Sequence, residues 1–174
     1  MITYEVKVYA DGTKKWYLNN ELHREDGPAI ERASGDKSWW LNGKRHRQDG
    51  PAVERTNGDK EWWLNSKRHR QDGPAIEWAN GGKKWYLNNE FHREDGPAVE
   101  WANGDKEWYF KGKRHRQDGP AVEGTTGYKE WWLNGERLTE KEWRAKVQPS
   151  QPNCEGRLIE IDGKTYKLIE VHGE

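Results

Sequence analysis

The chain has little of what usually builds a protein core. Leu, Ile, Val and Phe supply only 24 of its 174 residues, a share that would mean disorder if the net charge were also high. That second condition is absent, because 30 Lys and Arg balance 30 Asp and Glu, and self-repulsion does not hold the chain open. A single cysteine, Cys154, excludes an intramolecular disulfide and points to a reducing compartment. No apolar run approaches the roughly 20 residues that a membrane-spanning helix needs. The opening Met1-Ile2-Thr3-Tyr4-Glu5-Val6 lacks the basic and apolar regions of a signal peptide. The expected location is therefore the cytoplasm.

What the chain does have is tryptophan, twelve in all, most of it in fixed register. Trp16, Trp39, Trp62, Trp85, Trp108 and Trp131 fall 23 residues apart, and His23, His46, His69, His92 and His115 keep the same step. Each unit reads roughly K-x-W-[WY]-L-N-x-x-x-H-R-[QE]-D-G-P-A-[IV]-E-x-x-x-G-x. A fixed period of this length means a repeat architecture in which each unit buries its apolar face against its neighbours. The core is then made of indole rings, which carry large apolar surfaces. The surplus of charged residues solvates a thin array.

Three turn signals recur. Asn57-Gly58, Asn80-Gly81 and Asn103-Gly104 form the first, and Asn42-Gly43 and Asn134-Gly135 the second. Both suit the two-residue hairpin turn with positive φ at each central residue. The third is Asp-Gly-Pro, as at Asp72-Gly73-Pro74. A proline in every unit forbids a long helix and marks a strand edge or start. The expected fold is all-β, an elongated single-layer antiparallel sheet of stacked hairpins. Within Lys60-Glu61-Trp62-Trp63-Leu64-Asn65 a period of two puts Trp62 and Leu64 on one face and Trp63 on the other. The first face is expected to form the inner stack, and the second-aromatic face to be the more exposed.

Repeat arrays need caps, and both ends supply candidates. Residues 1–12 read as an N-terminal half-repeat, with Tyr9 where later units carry Trp78 and Trp101. Residues 13–138 are six tandem units, the last incomplete. Thr139-Glu140-Lys141-Glu142 reads as a capping box that opens a helix over 139–147 and carries Trp143 across the open end. Residues 148–153 form a linker and 154–174 a terminal hairpin turning at Asp162-Gly163, with Ile159, Ile161, Tyr166 and Leu168 on one face. That face is expected to dock on the last unit or to mediate self-association. Units one and four are nearly identical, so a three-unit block is duplicated and surface features are expected to recur every 69 residues.

The W-W-L-N through H pattern at Trp62 to His69 resembles the membrane occupation and recognition nexus (MORN) repeat, which is of similar length and also carries an aromatic, an Asn-Gly turn and a histidine. The resemblance covers residues 5–138 and implies stacked hairpins in one twisted sheet. Arg24, Arg47, Arg70, Arg93 and Arg116 stand where that repeat has glycine, which separates this version from the members that associate with phospholipids. The H-R-x-D-G-P form is more similar to tandem repeats of bacteriophages and large DNA viruses. Fold resemblance alone does not give a function.

Among candidate sites, the His-Arg-x-Asp motifs invite a metal or catalytic reading. With two strands per unit, equivalent histidines lie roughly 10 Å apart, whereas ligands sharing a zinc ion lie within about 4 Å of one another. The expectation is no metal, no cofactor and no catalytic residue, with His69 bonded to the Asp72 turn or packed on an indole. Cys154 would need His172 or another base beside it to act as a nucleophile. The Lys-Arg-His-Arg runs at 44–47, 67–70 and 113–116 suggest nucleic acid, but a nucleic-acid module usually carries a basic excess and this chain carries none.

The reading is a non-enzymatic scaffold that binds another protein. The candidate surface is the second aromatics Tyr17, Trp40, Trp63, Tyr86, Tyr109 and Trp132 with Arg47, Arg70 and Arg116, the residue types that dominate interfaces. The viral resemblance implies inhibition of a host protein such as a bacterial defence nuclease. Alternatives are nucleic-acid or nucleotide binding, and a structural or membrane-associated scaffold. Self-association through the C-terminal hairpin is a further expectation.

Overall fold

The computed structural model describes residues 4–147 and 158–167. The fold is nearly all-β. One antiparallel sheet runs the length of the array as a path of thirteen short strands in chain order, each paired with its neighbour. The one α-helix among the described residues is Glu140–Val147. A separate hairpin pairs Leu158–Ile161 with Lys164–Lys167.

Each unit is one hairpin with a bend. In the third unit the outgoing arm is Lys60–Glu61 and then Trp63–Leu64, interrupted at Trp62. The expected continuous strand is present only at the ends, in Lys14–Leu18 and Lys129–Leu133. The reason lies in the return arm. It pairs first as Lys67–Arg68, detours through residues 69–74, and resumes as Ile76–Glu77. Trp62 sits at the fork, its N–H donating to Ala75 and its carbonyl accepting from His69. The outer hairpin tips also join from unit to unit, Arg47 N–H bonding to the Trp63 carbonyl and Ser66 N–H to that of Arg45.

The long sheet has two chemically distinct faces. On one, Glu31, Lys37, Glu54, Lys60, Glu77 and Lys83 succeed one another as directly opposed pairs, and the alternation continues to Lys129. Opposite charges in register stabilise the ladder, and a one-residue slip would turn these charges into the core. On the other face lie Ile30, Val53, Ile76 and Val99, all buried, each preceded by a fully buried alanine.

The turns divide into two kinds. At the hairpin tips both central residues have positive φ, as in Asn42 (48°) and Gly43 (69°), which is the expected two-residue turn. The turns between units differ from the expectation. At Arg55 to Asp59 only Gly58 has positive φ (96°), and Arg55 N–H bonds to the Asp59 carbonyl across a three-residue loop. The side chain of Asn57 accepts from Asp59 N–H at 3.0 Å. That bond holds Asn57 in the right-handed region and leaves the glycine to close the turn.

A full-length strand closes one end of the sheet and the helix the other. Tyr4–Val8 pairs along the whole of Lys14–Leu18. At the other end Thr139 and Glu142 make a reciprocal capping box, with Thr139 N–H bonding to the Glu142 carboxylate at 2.8 Å and Glu142 N–H to Thr139 Oγ1 at 3.3 Å. Trp143 is only 4% exposed, lies 4.5 Å from the Trp131 ring and donates its indole N–H to the Arg116 carbonyl. The terminal hairpin pairs Ile159 with Tyr166 and Ile161 with Lys164 as expected. Leu168, Cys154, His172 and the linker at 148–153 lie outside the described residues.

Candidate functional site

The H-R-x-D-G-P motif is a clip. The Arg70 guanidinium lies over the Trp62 ring, 4.0 Å from its centroid. It also donates to Asp72, to the Pro74 carbonyl and to Glu77, at 3.0, 3.2 and 2.9 Å. Arg24, Arg47, Arg93 and Arg116 repeat this arrangement on Trp16, Trp39, Trp85 and Trp108. The glycine of the motif is needed for space, since a Cβ on Gly73 would lie 2.9 Å from Arg70 Cζ. The hydrogen bond from Arg70 holds the Asp72 carboxyl below its ordinary range, and Asp26, Asp49, Asp95 and Asp118 are lowered by their own arginines.

The histidines join successive units rather than bonding to the aspartate turn of their own. Nδ1 of His69 accepts the backbone N–H of Asn88 at 3.3 Å, and the Asn88 side-chain amide lies 3.0 Å away. His23, His46, His92 and His115 accept from Asn42, Asn65, Lys111 and Asn134 at 3.0–3.3 Å. The tip turn, with its left-handed first residue, presents that N–H to the preceding unit. Among the described residues no three His, Cys, Asp or Glu side chains cluster as a metal site.

The second aromatics are as covered as the first. Tyr86 is 8% exposed, and Tyr17, Trp40, Trp63, Tyr109 and Trp132 are half-buried like the first-position tryptophans. The expectation that this face is the more exposed one therefore fails, because cations fill it. Arg45 lies 5.1 Å from the Trp40 centroid and 5.2 Å from that of Trp63, and Arg68 bridges Trp63 and Tyr86. Arg114 does the same between Tyr109 and Trp132. Phe91 takes the cation's place between Tyr86 and Tyr109, at 4.3 and 4.8 Å.

Carboxylates lie beneath the ladder. Trp63 donates to Glu61, Tyr109 to Glu107 and Trp132 to Glu130. Burial pushes Glu107 up, but hydrogen bonds from Trp101, Tyr109 and Arg114 outweigh it and hold the carboxyl low. Burial raises the Tyr86 and Tyr109 hydroxyls and lowers Lys84.

Of the candidate arginines, Arg47 and Arg70 also border open clefts, which exist only once units are stacked and carry no local signal. One cleft of about 670 Å³ lies between the loops of units two and three, over Trp62 and Leu64 and beside Gln48 and Gln71. Its equivalent one unit earlier, over Trp39 and Leu41, measures about 540 Å³, and a third of about 490 Å³ lies beside Trp85. Each has an apolar floor and walls made of the Arg–Asp clips.

No family model matches the chain, and no curated protein is similar to it. No helix among the described residues is long and apolar enough to cross a membrane.

Proposed function

We propose that the array is a non-enzymatic scaffold that binds another protein through its row of clefts. The observation that carries this reading is the repetition of an apolar-floored, polar-walled cleft at successive unit boundaries, a small apolar centre within a polar rim being the anatomy of a protein interface. The groups with catalytic chemistry are already committed, each histidine to a tip turn and each motif arginine to its indole and carboxylates. The arginines of the Lys-Arg-His-Arg runs are spoken for in the same way, which leaves Lys44, Lys67 and Lys113 as their exposed cations, and the open sheet face alternates Lys with Glu. That neutrality weighs against a phosphate-binding surface. The H-R-x-D-G-P resemblance to phage and viral repeats extends the proposal to inhibition of a host protein, such as a bacterial defence enzyme.

The test is affinity capture from a bacterial lysate with the wild-type array, with Gln48→Trp/Gln71→Trp, which plugs the clefts without touching the clips, and with Lys44→Ala/Lys67→Ala/Lys113→Ala. A protein retained at high salt and lost only with the plugged clefts supports the reading. Capture of nucleic acid that falls steeply with salt and is lost with the lysines would overturn it.

A further inference from the structure

One joint in the array is built differently from the others. At four joints a side-chain oxygen from one inter-unit turn accepts a backbone N–H of the next turn. Thr13 accepts from Ala33 at 3.2 Å, Asp36 from Thr56 and Asp59 from Ala79 at 2.9 Å, and Asp105 from Thr125 at 2.8 Å. At the remaining joint the acceptor position is Gly82, and among the described residues no side chain accepts the N–H of Ala102. Two indoles flank that gap. Trp78 and Trp101 lie nearly parallel, 15° apart with centroids 6.2 Å apart, where the equivalent positions hold Arg32, Arg55 and Gly124. A cavity of about 430 Å³ opens between the turns, lined by both indoles with Asn80, Ala102, Asn103 and Asp105.

The polar groups around the cavity are mostly donors. Asn80 gives its carbonyl oxygen to Gly82 N–H at 3.0 Å, and its NH2 has no acceptor among the described residues. The Asp105 carboxylate, also in the lining, already has both oxygens taken, one by Thr125 and the other by Asn103 Nδ2 at 2.8 Å. Lys84 Nζ lies 4.9 and 4.5 Å from the Trp78 and Trp101 centroids, with no carboxylate within 4.0 Å among the described residues. Two donors, the Ala102 N–H and the Asn80 NH2, thus belong to the lining where neighbouring joints hold their own carboxylate, with the Lys84 ammonium over both indoles.

We propose that this joint is a binding site for a small planar aromatic carboxylate. The ligand's carboxylate takes the role that Asp36, Asp59 and Asp105 play elsewhere, accepting from Ala102 N–H and Asn80, and its ring lies against the two indoles. Trp101 is 41% exposed, so its face offers the ring a contact while its indole N–H stays on Glu107 at 2.9 Å. The joint 69 residues earlier is an internal control. There Tyr9 and Arg32 replace the two tryptophans, Lys15 stands for Lys84, and Thr13 already satisfies Ala33. The feature does not recur with the duplication, contrary to the expectation from the sequence, and so belongs to this one joint.

The experiment is a titration of the indole N–H resonances of Trp78 and Trp101, assigned through Trp78→Phe and Trp101→Phe. The probes are naphthalene-2-carboxylate and quinoline-2-carboxylate, with naphthalene-2-carboxamide as the neutral control. Saturable shifts confined to these two signals are expected, with at least tenfold weaker binding of the carboxamide. Gly82→Asp restores the array's own acceptor and sets a Cβ 2.7 Å from Trp78 Cε3, which must turn that ring aside, so it should abolish binding. Trp101→Arg, the residue type of the earlier joints, should abolish binding as well and keeps the test open if Gly82→Asp folds poorly. Absence of saturable shifts at millimolar probe, equal binding of the carboxamide, or binding that survives both variants would overturn the proposal.

Discussion

The Arg70 guanidinium covers the Trp62 ring at 4.0 Å while its N–H groups tie together the Asp72 turn, the Pro74 carbonyl and Glu77. One side chain therefore fixes the loop that separates the two halves of the return arm. Arg70→Ala removes a cation–π contact and three charge-assisted hydrogen bonds, and should cost about 2–3 kcal/mol in denaturant unfolding. Arg70→Lys should recover less than half of that, since an ammonium cannot lie flat on the indole and donate to three acceptors in the guanidinium plane. Full stability in the lysine variant would show that the charge alone suffices.

Trp63 should matter to the fold nearly as much as Trp62. Its ring lies between Arg45 and Arg68, and its N–H bonds to Glu61, which is itself buried. Trp63→Ala takes one of the two donors from that carboxylate, leaving Arg55 at 2.6 Å, and empties one place in the ladder. We expect a loss of about 2–4 kcal/mol, comparable with Trp62→Ala. A variant with wild-type stability would return this face to the role of a dispensable working surface.

Much of the frame was legible because it rests on local chemistry repeated many times. The 23-residue period, the Asn-Gly tips and the Thr139–Glu142 box each carry their own signal over a few residues. The fate of the charged side chains was not, because it depends on the neighbouring unit. His69 meets Asn88 and Arg45 meets Trp63 only once the units are stacked. A trace of the second contact was nonetheless in the sequence. Where Arg45, Arg68 and Arg114 give way to Leu22 and Phe91, the residue before the first tryptophan is Lys15 or Lys84 rather than Ser or Glu. Lys15 lies over Tyr9 and Lys84 over Trp78, Trp101 and Phe91, so a cation still meets the rings where the arginine is missing. Reading charge runs as open surface overlooked that exchange.

Acid should weaken the whole array at once. The carboxyls of Asp26, Asp49, Asp72, Asp95 and Asp118 are lowered by hydrogen bonds from their arginines. Asp36, Asp59 and Asp105 are lowered by backbone N–H groups of the next turn. A group whose pKa is depressed on folding contributes stability that is present above its unfolded value, and that contribution is lost as the pH falls through the folded one. The melting temperature from these groups should therefore be level above about pH 5 and decline below about pH 4, the ordinary aspartate range. Asp72→Asn should make the decline shallower. A transition set instead above pH 6 would point to groups other than these aspartates.

The C-terminal hairpin leaves Leu158, Ile161 and Tyr166 exposed, at 65, 51 and 48%. Exposed apolar side chains gathered on a two-stranded hairpin suit pairing with a second copy, since such a hairpin is marginal in water by itself. Removing residues 149–174 should convert a self-associating species to monomer in light scattering, with the array's melting unchanged. A monomer both before and after the deletion would exclude this route to association.

The capping helix should hold the last unit closed. An array of nearest-neighbour contacts frays from its ends unless the terminal rings are covered, and Trp143 covers Trp131 while bonding to the Arg116 carbonyl. Trp143→Ala opens this end to water. The expected cost is about 3–5 kcal/mol, concentrated in the last two units rather than spread along the chain. Hydrogen exchange should show amides of Lys129–Leu133 and Val122–Glu123 losing protection, while those of Ile30–Glu31 and Val53–Glu54 keep theirs. Uniform loss of protection from end to end would mean that the array unfolds as a single cooperative block. The cap would then stabilise every unit equally, and the nearest-neighbour description would not hold for this chain.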